Sequence, residues 1–309
     1  MASTEGKLNV SELDFTQIKE NLIGFLQNQD EFVGYNFRGS SFDVLLDVLA
    51  YNTHYNAYYA NMVANEMFLD SATLRNSVVA KAKHLGYLPR SAKGSKAVVD
   101  LTITPTGAPA VITIPRFTQF QGDVDGINYI WCTANSHALN INANLIYTVS
   151  NVELTQGIPI SYRYTAETAD VDQRYLLPNA NIDTDTLTVT VQTSKTESAS
   201  FAYDLANDIT TVNSTSRHYF LDEVDEGLYE VQFGDGILGK EVSNGNIITL
   251  AGLVTDTDAT NGCKNFTTVA DVGGYSNVKI VTVDAAGGGA GSADIQEIKF
   301  NEEIKKSNG

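Results

Sequence analysis

Residues 42–69 read FDVLLDVLAYNTHYNAYYANMVANEMFL. The stretch predicts one helix of roughly seven turns at 3.6 residues each. Ser40 followed by Asp43 resembles a capping box with a shorter acid, which predicts the helix start. Tyr51, Tyr55 and Tyr59 share a face at i+4 steps, and Asn52 and Asn56 lie beside it. Two readings of that face stand open. It is either the wet side of a half-buried helix or a protein-binding face, because Tyr suits sites that are apolar at one end and polar at the other.

Upstream, Phe15, Ile18, Leu22, Phe25 and Leu26 make a second apolar stripe, and Gly34 falls shortly after it. Downstream, a third helix is expected from Ser71 to Gly86, with Pro89 beyond it. After Pro89 the period changes to two. AVVDLTIT (97–104), INYIWCT (127–133), LIYTVS (145–150), PISYRYT (159–165) and TLTVTVQT (186–193) alternate apolar and polar residues between turn-forming clusters. They predict half-buried, mainly antiparallel strands. The fold class is therefore α+β, an N-terminal helical segment followed by mainly antiparallel β domains. The expected division is a helical assembly segment 1–95, a β-rich domain 96–217, and a β segment 218–309 that ends in a glycine-rich linker and a polar tail.

Charge follows the same division. The 309 residues carry a formal net charge of −17. Residues 1–95 hold 8 basic and 10 acidic side chains, and the remainder 12 and 27. Such a chain is repelled by nucleic acid and by anionic membrane, so neither is expected as a partner. Two cysteines, Cys132 and Cys263, form no disulfide framework and no metal-ligand cluster. No run of 18 apolar residues occurs, and MASTEGKLNV lacks the apolar core of a signal peptide. A soluble protein made in a cytosol is the expectation.

The turn after Phe233 imitates two nucleotide motifs. Gly234, Gly236 and Gly239 spell GxGxxG, and with Lys240 they also spell GxxxxGK. A dinucleotide site needs a helix straight after the turn, but EVSNGNIITL predicts a second turn and a strand. A P-loop needs Ser or Thr after the lysine, and Glu241 stands there. The glycines are read instead as a tight β connection. His54, His84, His137 and His218 are dispersed without metal spacing. Asp183 with Asp185, and Asp256 with Asp258, do not continue into a calcium loop. No catalytic, cofactor or metal set is expected, and the chain is not read as an enzyme.

Two stretches resemble a known family. LAYNTHYNAYYANM, NEMFLDSATLR and LGYLPRSA, within residues 37–97, closely resemble the N-terminal region of the baseplate wedge proteins of T4-like contractile-tailed phages. YEVQFGDGILGKEVSNGNIITLAGLVTDTDATNG, residues 229–262, resembles the FGDG-containing core of the baseplate J-like family. Phe233, Gly234, Asp235, Gly236 and Gly239 match its turn, Gly245 the next turn, and Asn261 the asparagine after the following strand. Members of that family continue past a glycine-rich linker, so the resemblance is to a member shortened or fragmentary at the C-terminus.

The resemblance implies a structural subunit of the tail baseplate wedge. Such a subunit pairs with itself as a homodimer and with other wedge subunits. It forms a ring around the tail hub that rearranges on sheath contraction. It would be assembled in the host bacterial cytoplasm and end in the virion tail baseplate. Tyr51, Asn52, Tyr55, Asn56 and Tyr59 are then the expected assembly surface. The competing reading is a carbohydrate-binding or host-recognition tail module. It would need an exposed aromatic platform, whereas Trp131, the only tryptophan, lies in an expected strand and is read as core.

Overall fold

The computed structural model describes residues 14–105, 107, 109–167, 173–206, 209–225 and 227–308, with side chains up to Asn301. The chain divides into two compact units. Of the described residues, those up to Tyr87 and from Ile295 onward form a helical unit, and those within Leu88–Asp294 form a β unit. The fold class is α+β, as the change of period predicts.

The helical unit contains α1 (Phe15–Gln27), α2 (Ser41–Glu66), α3 (Arg75–His84) and α4 (Ile295–Asn308). Between α1 and α2, Phe32, Tyr35, Phe37 and Phe42 pack ring against ring at 4.8–6.4 Å, and Phe37 is fully buried. Gly34 lies at φ 77°, where a side chain would be strained. The capping box expected at Ser40 does not form. The Ser40 hydroxyl donates to the Phe37 carbonyl at 2.7 Å, and Asp43 turns to Lys19 of α1 and to the Gly39 N–H. A different acid performs a cap further on. Leu74 sits at the N-cap of α3 and has nothing to offer, so Glu66 accepts the N–H groups of Thr73 (2.8 Å) and Leu74 (3.2 Å). At its other end α3 closes on Gly86 at φ 72°, with the Tyr87 N–H returning to Ala82 and the Gly86 N–H to Lys83.

The polar tail is a correction to the sequence reading, because residues 295–308 are helical. Ile298 of α4 is fully buried, Lys299 donates to the Asp70 carbonyl at 2.9 Å, and Asn301 donates to the Tyr87 hydroxyl at 3.1 Å.

The β unit contains fifteen described strands. These are β1 (Lys96–Ile103), β2 (Val111–Ile114), β3 (Gln119–Val124), β4 (Ile127–Thr133), β5 (His137–Asn140), β6 (Tyr147–Gln156), β7 (Ile158–Thr165) and β8 (Arg174–Leu177). There follow β9 (Ile182–Gln192), β10 (Ser200–Leu205), β11 (His218–Asp225), β12 (Leu228–Phe233), β13 (Ile247–Val254), β14 (Phe266–Thr268) and β15 (Val278–Gly287). One sheet has the order β14-β3-β4-β6-β1-β15, a second β7-β13-β9-β10-β11-β12-β8, and β2 pairs with β5. Among the described residues all strand pairings are antiparallel except a short parallel ladder between β10 and β11. Both large sheets mix strands from either side of residue 217. β13 lies between β7 and β9, while β15 borders β1.

Gly157 carries the chain from one sheet to the other. A Cβ there would stand 2.8 Å from that of Leu253 and 3.0 Å from the Val254 carbonyl. The first core gathers Trp131, Phe120, Tyr147, Leu101 and Ile103. The second gathers Tyr229, Leu177, Ile182, Val231 and Ile248.

Asp183 is an acid held inside the β unit. It is buried, and its carboxylate accepts the N–H of Gly94 and of Asp185, each at 3.0 Å. Burial pushes its carboxyl above the ordinary aspartate range. A raised folded pKa means that the native state takes up this proton at a higher pH than the unfolded chain. The linked stability is present below the unfolded value and is lost as pH rises through the folded one. The stability of wild type relative to Asp183→Ala should therefore grow as pH is lowered from neutrality toward the ordinary aspartate range, measured by urea midpoints. A difference that shrinks on acidification would contradict the assignment.

Candidate assembly surface

A surface helix ordinarily turns its apolar stripe inward. α2 does the reverse. Its buried residues are Leu46 and Ala50, and its other inward positions are small or polar, among them Asp43, Asp47, Ala57 and Ala64. Val44, Val48, Tyr51, Tyr55, Tyr58 and Met62 lie outward, each 40–66 % exposed. Their spacing alternates between four and three, the seam that one helix offers another. The row extends for about 27 Å at 1.5 Å per residue. Beside it runs a second outward row, Leu45, Leu49, Asn52, Asn56, Tyr59 and Val63. From Val48 to Asn65 there is no Asp, Glu, Lys or Arg.

The tyrosines form a ladder. Ring centroids are 4.5 Å apart for Tyr51 and Tyr55, 6.2 Å for Tyr55 and Tyr59, and 6.0 Å for Tyr58 and Tyr59. Hydrogen bonding to Tyr51 raises the Tyr55 phenol above its ordinary range. Stacking on one another holds the rings in a preset array, which reduces the ordering cost of docking. The residues singled out from the sequence, Tyr51, Asn52, Tyr55, Asn56 and Tyr59, are all exposed, and Val44, Val48, Tyr58 and Met62 are exposed on the same side of the helix.

The FGDG residues occupy a separate place in the β unit. Phe233 packs edge-on against Tyr203 at 5.2 Å and against Tyr175 at 5.7 Å. Asp235 accepts the N–H groups of Leu238 and Ile237 at 2.9 Å each, and these bonds hold its carboxyl below the ordinary range. Gly236 and Gly239 have φ of 82° and 87°, and the Gly236 N–H bonds the Gly239 carbonyl at 3.1 Å. Gly245, at φ 82°, donates to the Ala166 carbonyl at 2.9 Å. The next element along the chain is β13, a strand where a dinucleotide site would need a helix. Asn261 serves elsewhere: its side chain bonds the backbone of Gly289. Phe233 thus packs on the second core, and the other matched residues act on backbone geometry at three places rather than converging on one site.

Among the described residues no group of three or more His, Cys, Asp or Glu is placed to hold a metal ion. Cys132 is buried, which pushes its thiol up to about 12 and leaves it inert near neutrality. Trp131 is wholly buried as well.

Comparison with known proteins bears on the helical unit first. The family model described as baseplate wedge protein gp6-like, helical domain, matches residues 14–87. Residues 14–87 are thus similar to the helical domain of the gp6-like baseplate wedge proteins. The baseplate wedge protein gp6 of Enterobacteria phage T4 is 31% identical over 236 residues, covering 75% of this chain and 34% of the phage protein. The chain thus spans about a third of the length of that relative. A chain of the anti-feeding prophage baseplate, solved by cryo-EM with six-fold symmetrisation, covers 97% of this chain and 61% of its own length. At 11% identity and a TM-score of 0.31 that likeness carries no argument. α1, α2 and α3 lie inside the segment matched by the gp6-like model, and α4 lies outside it.

Proposed function

We propose that this chain is a structural subunit of a phage tail baseplate wedge, acting through assembly and not through catalysis. It joins other wedge subunits and a second copy of itself in the ring around the tail hub that rearranges on sheath contraction. It is built in the host bacterial cytoplasm and resides in the virion tail baseplate. The observation that supports this most is the outward seam of α2, a long uncharged row of Val, Tyr and Met left exposed among the described residues. Tyr51, Asn52, Tyr55, Asn56 and Tyr59 are proposed as its centre, extended by Val44, Val48, Tyr58 and Met62. The competing carbohydrate reading has no platform in the one tryptophan, which is core.

Tyr51→Ala combined with Tyr55→Ala should weaken association by at least about 2 kcal/mol, the loss typical of anchor residues. That is roughly a thirtyfold change in Kd. Light scattering of the chain alone, and reconstitution with neighbouring wedge proteins, measure it. Thermal melting should leave the β unit unchanged. A wild-type chain that stays monomeric and ignores those neighbours, or a double variant that assembles normally, would remove α2 from the account.

A further inference from the structure

The ladder between β9 and β10 stops at Val189 and Tyr203. The same register carried one step further would pair Leu187 with Leu205. Instead β10 turns to β11, and the two run parallel through Asp204 and Leu205. Among the described residues no strand then lies beside residues 182–188 of β9 on the side away from β13. A cleft of about 650 Å³ occupies this fork, a size within the range of ligand sites. Leu187, Leu205 and Leu221 give it an apolar lining, beside the rings of Tyr203 and Tyr219.

Two polar features of the lining are left uncompensated. Tyr203 is 6 % and Tyr219 4 % exposed, and neither hydroxyl has a hydrogen-bond partner among the described residues. Burial raises both phenols, and Asp204 adds to the effect at Tyr219, which is pushed up to about 12. Both therefore stay protonated and able to donate. The second feature is a charge. Asp204 is exposed at the cleft, and its carboxylate has no ion pair or hydrogen bond among the described residues. The surrounding cations are engaged elsewhere. Lys93 pairs with Asp185 at 2.7 Å, the Arg90 guanidinium donates to the Gly291 carbonyl at 2.7 Å, and Arg217 lies over the Phe201 ring at 4.0 Å.

We propose that the fork between β9 and β10 binds an extended segment of a partner protein that carries an arginine or lysine. Its main chain takes the strand position left open between Leu187 and Leu205, and its apolar side chains cover the leucines. The two phenols donate to its carbonyls, and its cation meets Asp204. A neutral segment leaves that charge unmatched, and a small free cation leaves the apolar lining and the strand edges bare. The acidic excess of residues 96–309, 27 side chains against 12, favours the same sign of partner. The site shares no residue with the α2 row, so either can fail alone.

Selection from a random seven-residue peptide library on the full chain tests this, with counter-selection on Asp204→Asn to discard peptides held by other surfaces. Retained peptides should share an Arg or Lys. The best of them should bind Asp204→Asn about tenfold and Tyr219→Phe about fivefold more weakly than wild type, with melting temperatures unchanged. Citrulline in place of its arginine should cost as much as Asp204→Asn and add nothing on top of it. An empty selection, or retained peptides without a basic residue, would overturn the proposal. So would spermidine binding that depends on Asp204 where no peptide does, since the ligand would then be a free polyamine. Should Asp204→Asn not fold, Tyr219→Phe takes its place in both steps, and equal binding to it counts against the site.

Discussion

Trp131→Ala should lower the stability of the β unit by about 3–5 kcal/mol, the range for removing a large aromatic from a packed core. Trp131 is wholly buried on β4, and its indole meets Phe266 edge-on at 5.1 Å and 82°. Space for the indole is made by Gly122 of β3, where a Cβ would stand 2.6 Å from the indole nitrogen and 2.7 Å from the Cys263 sulfur. The indole N–H has no acceptor among the described residues, so the loss on truncation is one of packing. Trp131→Phe should consequently cost much less, because it keeps a ring and removes a donor that is unpaired. Denaturant midpoints of the two variants decide the matter. Equal losses would show that the N–H is bonded and that the packing account is wrong.

Gly234→Ala should cost about 3 kcal/mol or more, a backbone clash that no rotamer can relieve. A Cβ there would overlap the Leu238 and Gly239 carbonyls. Its neighbour makes the control. Gly236 has φ 82° but only the Glu241 side chain nearby, at 3.6 Å, so Gly236→Ala meets left-handed strain of about 1–2 kcal/mol and no collision. Thermal or urea unfolding of the pair separates the two causes. The reverse order of losses would mean that conformation, and not close approach, selects glycine in this turn.

The helices and the half-buried strands were legible because burial imposes a period, 3.6 in one case and two in the other. β4 was read to the residue, 127–133, and β1 to within one. Sheet order was not legible. The alternation within 247–254 says that one face is covered, and nothing in it says that β13 lies between β7 and β9. α4 escaped for a related reason. Its sequence is rich in Glu and Lys, and the partner that orders it, α3, is distant along the chain. The capping box failed because the Phe37 carbonyl competes for the Ser40 hydroxyl, a contact set by an aromatic cluster. On α2 the tyrosine face was legible in kind. The sequence cannot show that the same helix turns small and polar residues inward, and that inversion makes its exposed row unusual.

The return of α4 to α3 has a kinetic side. Joining the two ends of the helical unit through an unfolded β unit would close a loop of roughly 200 residues. Once the Lys93–Ala290 bridge has formed, the chain to be ordered shrinks to a few residues on each side. The logarithmic dependence of closure entropy on length makes that difference about 3 kcal/mol. α1 meets α2 across neighbouring sequence, whereas α4 meets α3 across roughly 200 residues, so the docking of α4 is expected to follow the pairing of α1 with α2.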